Sequence, residues 1–216
     1  MPAILLRVKI DIISDVVCPW CFIGKRRLEQ ALDDIDDAEV AVSWRPFQLN
    51  PEMPAGGMDR ARYLRLKFGG GDNARRLYGD IARAGRGEGI DFAFDRIART
   101  PSTIDAHRLI ARAGARQDAL VEALFRAYFI AGIDIGDPDR LVDIAADAGL
   151  EPAETAVFLA GDAGADAVRL EDLKARRLGV TGVPCFIVDG RYAVSGAQAP
   201  EVLKRVFETA LQAEAS

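Results

Sequence analysis

The sequence is poor in the side chains that carry most enzyme chemistry, and it contains no long apolar run. Its 216 residues include one histidine, three cysteines and five lysines. A formal net charge of −5 gives no basic surface for a phosphate backbone, so we expect no nucleic-acid partner. No stretch approaches the roughly 18 apolar residues of a membrane span, so we expect no membrane association. Three cysteines are also too few for a fold of this length to be stabilised mainly by disulfides.

The remaining composition is that of an ordinary globular protein, with 50% hydrophobic and 28% charged residues. The apolar residues 1–6 are followed at once by Arg7 and Lys9, which interrupt the run that a secretory signal needs. We therefore expect a cytoplasmic protein whose thiols are mostly reduced. In that compartment a Cys-x-x-Cys motif is typical of catalysis or metal binding.

Strand patterns stand at both ends of the chain. Alternating apolar residues predict strands over 7–14 and 39–47, with a helix over 20–36 between them. Further strands are predicted over 183–188 and 191–196, because Asp189-Gly190 between two apolar runs is a strong hairpin signal.

Helical patterns dominate the middle of the chain, and residues 86–100 are expected to form a loop. The predicted helices cover residues 58–68, 72–85, 103–114, 117–131, 138–148, 152–160, 163–178 and, after the second pair of strands, 200–213. This order predicts an α/β fold in which one sheet domain carries an all-helical insertion.

A Cys-Pro-Trp-Cys motif occupies residues 18–21, where the first strand gives way to the first helix. Pro19 suits the first helical position, where a missing N–H is harmless. The sulfur of Cys18 then meets unpaired backbone N–H groups and the positive end of the helix dipole, which favour the thiolate. Cys21 lies one turn further on the same face. The spacing predicts that Cys18 attacks a disulfide and that Cys21 resolves the product.

Two other interpretations of the motif are structural. Cys-x-x-Cys can be half of a zinc site, but a structural zinc site needs a second pair of ligands. Only Cys185 and His107 remain, and each is isolated in the sequence, so we expect no metal. The two cysteines could also be plain buried thiols.

A second motif supports the redox interpretation. Pro184 opens a strand after the glycine-rich turn at residues 179–182. Cis peptide bonds are essentially a proline phenomenon. Together with the two cysteines, this position predicts a cis bond between Val183 and Pro184.

Four stretches of the chain resemble the DsbA family of the thioredoxin superfamily, closest to its FrnE-like cytosolic branch. They are residues 15–25, 45–51, 103–109 and 179–184, in order along a region from about 8 to 207. The resemblance implies a thioredoxin fold made of residues 1–57 and 170–216, interrupted by a helical domain at 58–169.

The same resemblance implies roles for individual residues. Cys18 would be the nucleophile and Cys21 the resolving thiol, with Pro184 as a cis-proline packed against them. The backbone of Val183 would pair with a bound substrate chain.

Other residues are candidates for the substrate cleft. Pro19, Trp20 and Phe22 flank the cysteines and are expected to give the cleft an apolar rim, suited to extended peptides or hydrophobic small molecules. His107 is either a packed histidine or an imidazole placed over the cleft, where it could act on Cys18. Cys185 is either an inert core thiol, on the opposite face from Pro184, or a regulatory thiol.

The leading functional hypothesis is a thiol–disulfide oxidoreductase that acts on protein, peptide or small-molecule disulfides. It needs no cofactor beyond its own cysteines, although glutathione could serve as a co-substrate. One alternative is a glutathione-dependent isomerase or transferase of the 2-hydroxychromene-2-carboxylate isomerase or kappa-class type, enzymes that typically present Ser at the first motif position. A second alternative is a non-catalytic chaperone module. The direction of electron flow and the oligomeric state, a homodimer included, stay open at this point.

Overall fold

A four-stranded mixed sheet lies at the centre of the computed structural model, which describes residues 7–33, 39–69 and 71–214. Its strands are β1 (Arg7–Ser14), β2 (Glu39–Pro46), β5 (Cys185–Val188) and β6 (Tyr192–Ser195), and a separate two-stranded antiparallel sheet pairs β3 (Met58–Asp59) with β4 (Arg99–Thr100). The order in the main sheet is β2-β1-β5-β6. β1 is parallel to β2 and antiparallel to β5, and β5 is antiparallel to β6.

Helices fill the connections. They are α1 (Pro19–Asp33), α2 (Arg60–Phe68), α3 (Gly71–Gly87), α4 (Ile104–Arg112), α5 (Gln117–Arg126), α6 (Pro138–Asp147), α7 (Pro152–Leu159), α8 (Ala165–Arg177) and α9 (Pro200–Glu214). α5 continues into a π-helical turn at Ala127–Ala131, which Gly132 ends with a left-handed φ of 72°. A βαβ unit, a block of helices and a final hairpin with its helix confirm the expected thioredoxin-like α/β fold with a helical insertion.

The local signals for the sheet elements are confirmed. Asp189 and Gly190 both have positive φ, at 51° and 66°, as the tight turn between β5 and β6 requires. Pro19 is the first residue of α1. The strand expected from residue 183 begins only at Cys185, because Pro184 has no N–H to offer a sheet ladder.

Three expectations need correction or fall outside the structure. The expected loop at 86–100 includes the end of α3 and all of β4, whose partner β3 is distant in sequence and too short to show periodicity. The helix expected from residue 58 begins at 60, because the Asp59 carboxylate caps it by accepting from the Arg62 N–H. Residues 1–6 and the predicted helical residues 34–36 lie outside the described residues.

The hydrophobic core runs from the sheet into the inserted helices without a break. Phe22 of α1 stacks on Phe125 of α5, with ring centroids 5.1 Å apart. The expected boundary between residues 169 and 170 falls inside α8, so the division into two domains stays a prediction. Within the described ranges, no helix has the length and apolar character needed to cross a bilayer.

A charge cluster also joins α1 to α5. The buried Lys25 ammonium lies 3.0 Å from Asp118 and hydrogen-bonds Glu29, while Arg26 lies 2.5 Å from Glu122. Burial alone would lower the pKa of Lys25, but hydrogen bonds and attraction from Glu29 and Asp118 outweigh it and raise the pKa. The helix that follows the cysteine motif is therefore fixed to the insertion by both apolar and ionic contacts.

Candidate active site

The two motif cysteines lie at the start of α1, and both are free thiols. The Cys18 N–H donates to the Asp15 carbonyl and the Cys21 N–H donates to the Cys18 carbonyl, each at 3.0 Å. These bonds form the tight turn from which the helix begins. Cys18 is 4% exposed and Cys21 1%, so Cys18 is the more accessible of two largely buried residues.

The two thiols also differ in their surroundings. Burial raises the pKa of Cys21 well above its ordinary value, and the adjacent Cys18 raises it further. Hydrogen bonds from the Ser14 side chain and the Asp15 backbone oppose that rise. Cys21 is thus a protonated, shielded thiol in the resting protein, as the resolving partner of an exchange pair would be.

The loop before β5 closes over the cysteines. The Cys18 thiol donates to the Val183 carbonyl at 3.5 Å, and the peptide bond between Val183 and Pro184 is cis. Pro184 is buried against Gly24 of α1. The structure therefore brings together four of the expected site residues: Cys18, Cys21, Val183 and Pro184.

The expected apolar rim is partly wrong. Trp20 is 36% exposed and Pro19 is half-buried beside it, so both remain available to a substrate. Phe22 is 1% exposed, because two positions along a helix from Trp20 is roughly the opposite face, and that face packs on the insertion. Phe22 is an interface residue and not a substrate contact.

His107 lies close to the motif but does not hydrogen-bond Cys18 in the part of the chain that the structure describes. It is buried on α4, with Nε2 3.2 Å from the Phe47 carbonyl and 3.5 Å from Oδ1 of Asp15. His107 is therefore a packed histidine, the first of the two interpretations given above. It packs against the loop that precedes Cys18. Asp15 itself is buried, and its Oδ2 accepts from the Leu49 N–H at 2.7 Å.

The role of Asp15 is a feature that sequence reasoning missed. An acidic residue at the end of an apolar strand, three positions before Cys18, was the available signal. A buried carboxylate needs hydrogen-bond donors, so its position in the loop implied partners brought from elsewhere in the chain.

Cys185 lies on the other face of the sheet. It is buried in a small cluster with Ile13, Phe47 and Ala175, separate from the core that holds the motif cysteines. Burial raises its pKa, which makes it a poor nucleophile. Across the residues described, no group of three or more His, Cys, Asp or Glu could hold a metal ion.

Comparisons with known proteins identify the family of the chain. The family described as "DSBA-like thioredoxin domain" matches residues 9–208. The structure of a probable DsbA oxidoreductase, SCO1869 from Streptomyces coelicolor, is 35% identical in sequence, with a TM-score of 0.86 over 94% of this chain and 89% of that one. The uncharacterized protein YwbO of Bacillus subtilis is 29% identical over 97% of this chain and 98% of its own length.

A more distant structure shares the fold alone. The cytosolic disulfide reductase DsbM from Pseudomonas aeruginosa is 19% identical, with a TM-score of 0.66 over 94% of this chain and 98% of that one, and it has also been solved with glutathione. The family match spans most of the chain, and SCO1869 adds a relative above 30% identity. The chain belongs to the DsbA-like family of thioredoxin-fold thiol–disulfide oxidoreductases.

Proposed function

We propose that this protein exchanges disulfides through Cys18 as the nucleophile and Cys21 as the resolving thiol. The observation that carries the proposal is the asymmetry of two free thiols at the start of one helix. Cys18 is the more accessible and touches the Val183 carbonyl, whereas Cys21 is covered and its pKa is raised by burial.

The exchange takes two steps. The Cys18 thiolate attacks one sulfur of the substrate disulfide, forming a mixed disulfide and releasing the other substrate sulfur as a thiolate. Cys21 then loses its proton and attacks the Cys18 sulfur, which breaks the mixed disulfide and releases the second substrate thiolate. Two electrons pass from the dithiol to the substrate, and the reverse sequence oxidises a substrate dithiol.

The surroundings of Cys18 favour extended peptides or small-molecule disulfides. Exposed Trp20 and half-buried Pro19 offer an apolar contact beside the sulfur, and the backbone of Val183 would pair with the substrate chain. DsbM, which shares the fold, is a cytosolic disulfide reductase that has been solved with glutathione. We therefore place the protein in the cytoplasm, with glutathione or another small thiol as the electron donor.

The test is reduction of a protein disulfide, such as that of insulin, by a small dithiol. We expect the wild type to accelerate the reaction and Cys18→Ser to abolish the acceleration. Undiminished activity of Cys18→Ser overturns the proposal. The matched control is Cys185→Ser, which alters a thiol on the opposite face and is expected to retain activity.

Two further variants separate the alternatives. Saturable glutathione binding by Cys21→Ser, with turnover of a small-molecule substrate, would favour a glutathione-dependent isomerase or transferase. Suppression of client aggregation by the double variant lacking Cys18 and Cys21 would favour a chaperone module.

A further inference from the structure

His107 connects the helical insertion to the loop that carries the nucleophile. It lies on α4, between β2 and β5 in the chain, and its buried Nε2 is 3.2 Å from the Phe47 carbonyl. A carbonyl can only accept, so Nε2 carries a hydrogen and donates it. The same Nε2 is 3.5 Å from Oδ1 of Asp15, which is an electrostatic contact, while its hydrogen bond goes to the Phe47 carbonyl.

Asp15 in turn touches both cysteines through its backbone. Its carbonyl accepts from the Cys18 N–H at 3.0 Å. Its backbone also interacts with the Cys21 thiol, as does the Ser14 side chain. Its carboxylate accepts from the Leu49 N–H at 2.7 Å and from the Val17 N–H at 3.4 Å, and its Oδ1 faces His107 Nε2 at 3.5 Å. A movement of Asp15 therefore changes the position of both sulfurs.

Phe47 and Gln48, which follow β2, are also held by side chains of α8. Arg176 of α8 lies over the Phe47 ring at 4.2 Å and donates to the Gln48 carbonyl at 2.5 Å. The Asp172 carboxylate accepts from the Gln48 N–H at 2.9 Å. Because α8 holds this segment in place, the Phe47 carbonyl is a fixed point against which His107 can orient Asp15.

We propose that His107 is a positioning residue, which acts through Asp15 to hold the turn of Cys18 and Cys21 in the geometry that the resolving step needs. The inference rests on the proposed exchange function and deepens it. In that step the Cys21 sulfur forms a bond to Cys18 as the bond between Cys18 and the substrate sulfur breaks, and the leaving thiolate takes up the proton that Cys21 lost. Without Nε2, the Phe47 carbonyl loses its hydrogen bond and the buried Asp15 carboxylate loses a polar neighbour at 3.5 Å, which favours relaxation of the turn.

The experiment follows the two steps separately, with a symmetric aromatic disulfide whose released thiolate is coloured. The first attack releases one coloured thiolate per protein, and the resolving step releases the second. His107→Leu removes the donor, whereas His107→Gln keeps a side-chain N–H. Ile110→Ala on the same helix is the control for lost packing, because Ile110 is buried but outside the network.

We expect His107→Leu to slow the second release at least about tenfold, since small misplacements of reacting atoms are costly in rate. The first release should change less, His107→Gln should stay within about threefold of the wild type, and Ile110→Ala should lose stability without slowing the second release. A wild-type rate in His107→Leu overturns the inference, and so does equal slowing by Ile110→Ala or His107→Gln. If the wild type releases no coloured thiolate, it is the proposed function that fails.

Discussion

Gly24 and Pro184 are in direct contact, and no side chain larger than a hydrogen fits between them. A β-carbon built on Gly24 would lie 2.8 Å from Cγ of Pro184 and 3.3 Å from Cζ of Phe186. Gly24 follows Cys21 by three positions, so the contact lies one turn along α1 from the resolving thiol. It fixes the distance between the helix that bears the cysteines and the loop whose Val183 carbonyl meets Cys18.

Replacing this glycine tests the contact. We expect Gly24→Ala to destabilise the protein by about 1–3 kcal/mol, because the added methyl overpacks the site, and to slow disulfide exchange by displacing Pro184. Gly79→Ala on α3 is the matched control, since a β-carbon there meets nothing within 4 Å, and we expect a gain of up to about 1 kcal/mol. Denaturant unfolding measures both, and an unperturbed Gly24→Ala would refute the tight contact.

The charge cluster between α1 and α5 predicts an asymmetry between two lysines. Lys25 is buried among Glu29, Asp118 and Glu122, so Lys25→Met leaves Asp118 without its cation and leaves the two glutamates to their arginine partners. We expect a loss of roughly 1–3 kcal/mol, limited by the partial exposure of those carboxylates. Lys174→Met removes an exposed pair with Glu171 and should cost less than about 1 kcal/mol. Equal changes in the free energy of unfolding would contradict this view of the cluster.

Trp20 and Phe22 should respond in opposite ways to truncation. Phe22→Ala removes a ring stacked on Phe125 and should cost about 3–5 kcal/mol of stability. Trp20→Ala changes an exposed side chain, so we expect a change below about 1 kcal/mol together with a raised KM for peptide substrates. Unfolding curves and steady-state kinetics of the two variants measure these effects. A raised KM without a loss of stability in Phe22→Ala would show that Phe22 contacts the substrate.

The raised pKa of Cys21 predicts a high titration midpoint for this thiol and a pH dependence of stability. In a variant with Cys18 and Cys185 replaced by alanine, burial still keeps the Cys21 titration midpoint above the ordinary 9.0, as followed by thiolate absorbance. The folded pKa exceeds the unfolded one, so this thiol's contribution to stability is complete below the unfolded pKa. That contribution is lost as pH rises through the folded pKa. A midpoint at or below 9.0 would contradict the burial of this thiol.

Local signals predicted the parts of the site that depend on neighbouring residues. The Cys-Pro-Trp-Cys motif at a helix start, the Asp189-Gly190 turn and the strand alternation each reflect backbone preferences over a few positions. The face to which a side chain points is fixed locally as well, and Cys185 accordingly lies on the opposite side of the sheet from the motif cysteines.

The errors and omissions at the site involve contacts between distant parts of the chain. An apolar residue such as Phe22 suits a cleft rim and a helix interface equally well until the inserted α5 is in place. The pairing of His107 with Asp15 likewise depends on how α4 docks onto the sheet, which no periodicity in either segment reveals. Tertiary packing decides the surroundings of such residues, and local patterns in a single sequence do not reveal that packing.

The most direct test of the account is to trap the mixed disulfide. Cys21→Ser removes the resolving thiol, so incubation with glutathione disulfide should leave one glutathione bound, and peptide mass mapping should place it on Cys18. Cys185 should carry none, because it is buried behind the sheet. An adduct on Cys185, or no adduct under conditions in which the wild type reduces the same disulfide, would contradict the assignment of Cys18 as the nucleophile.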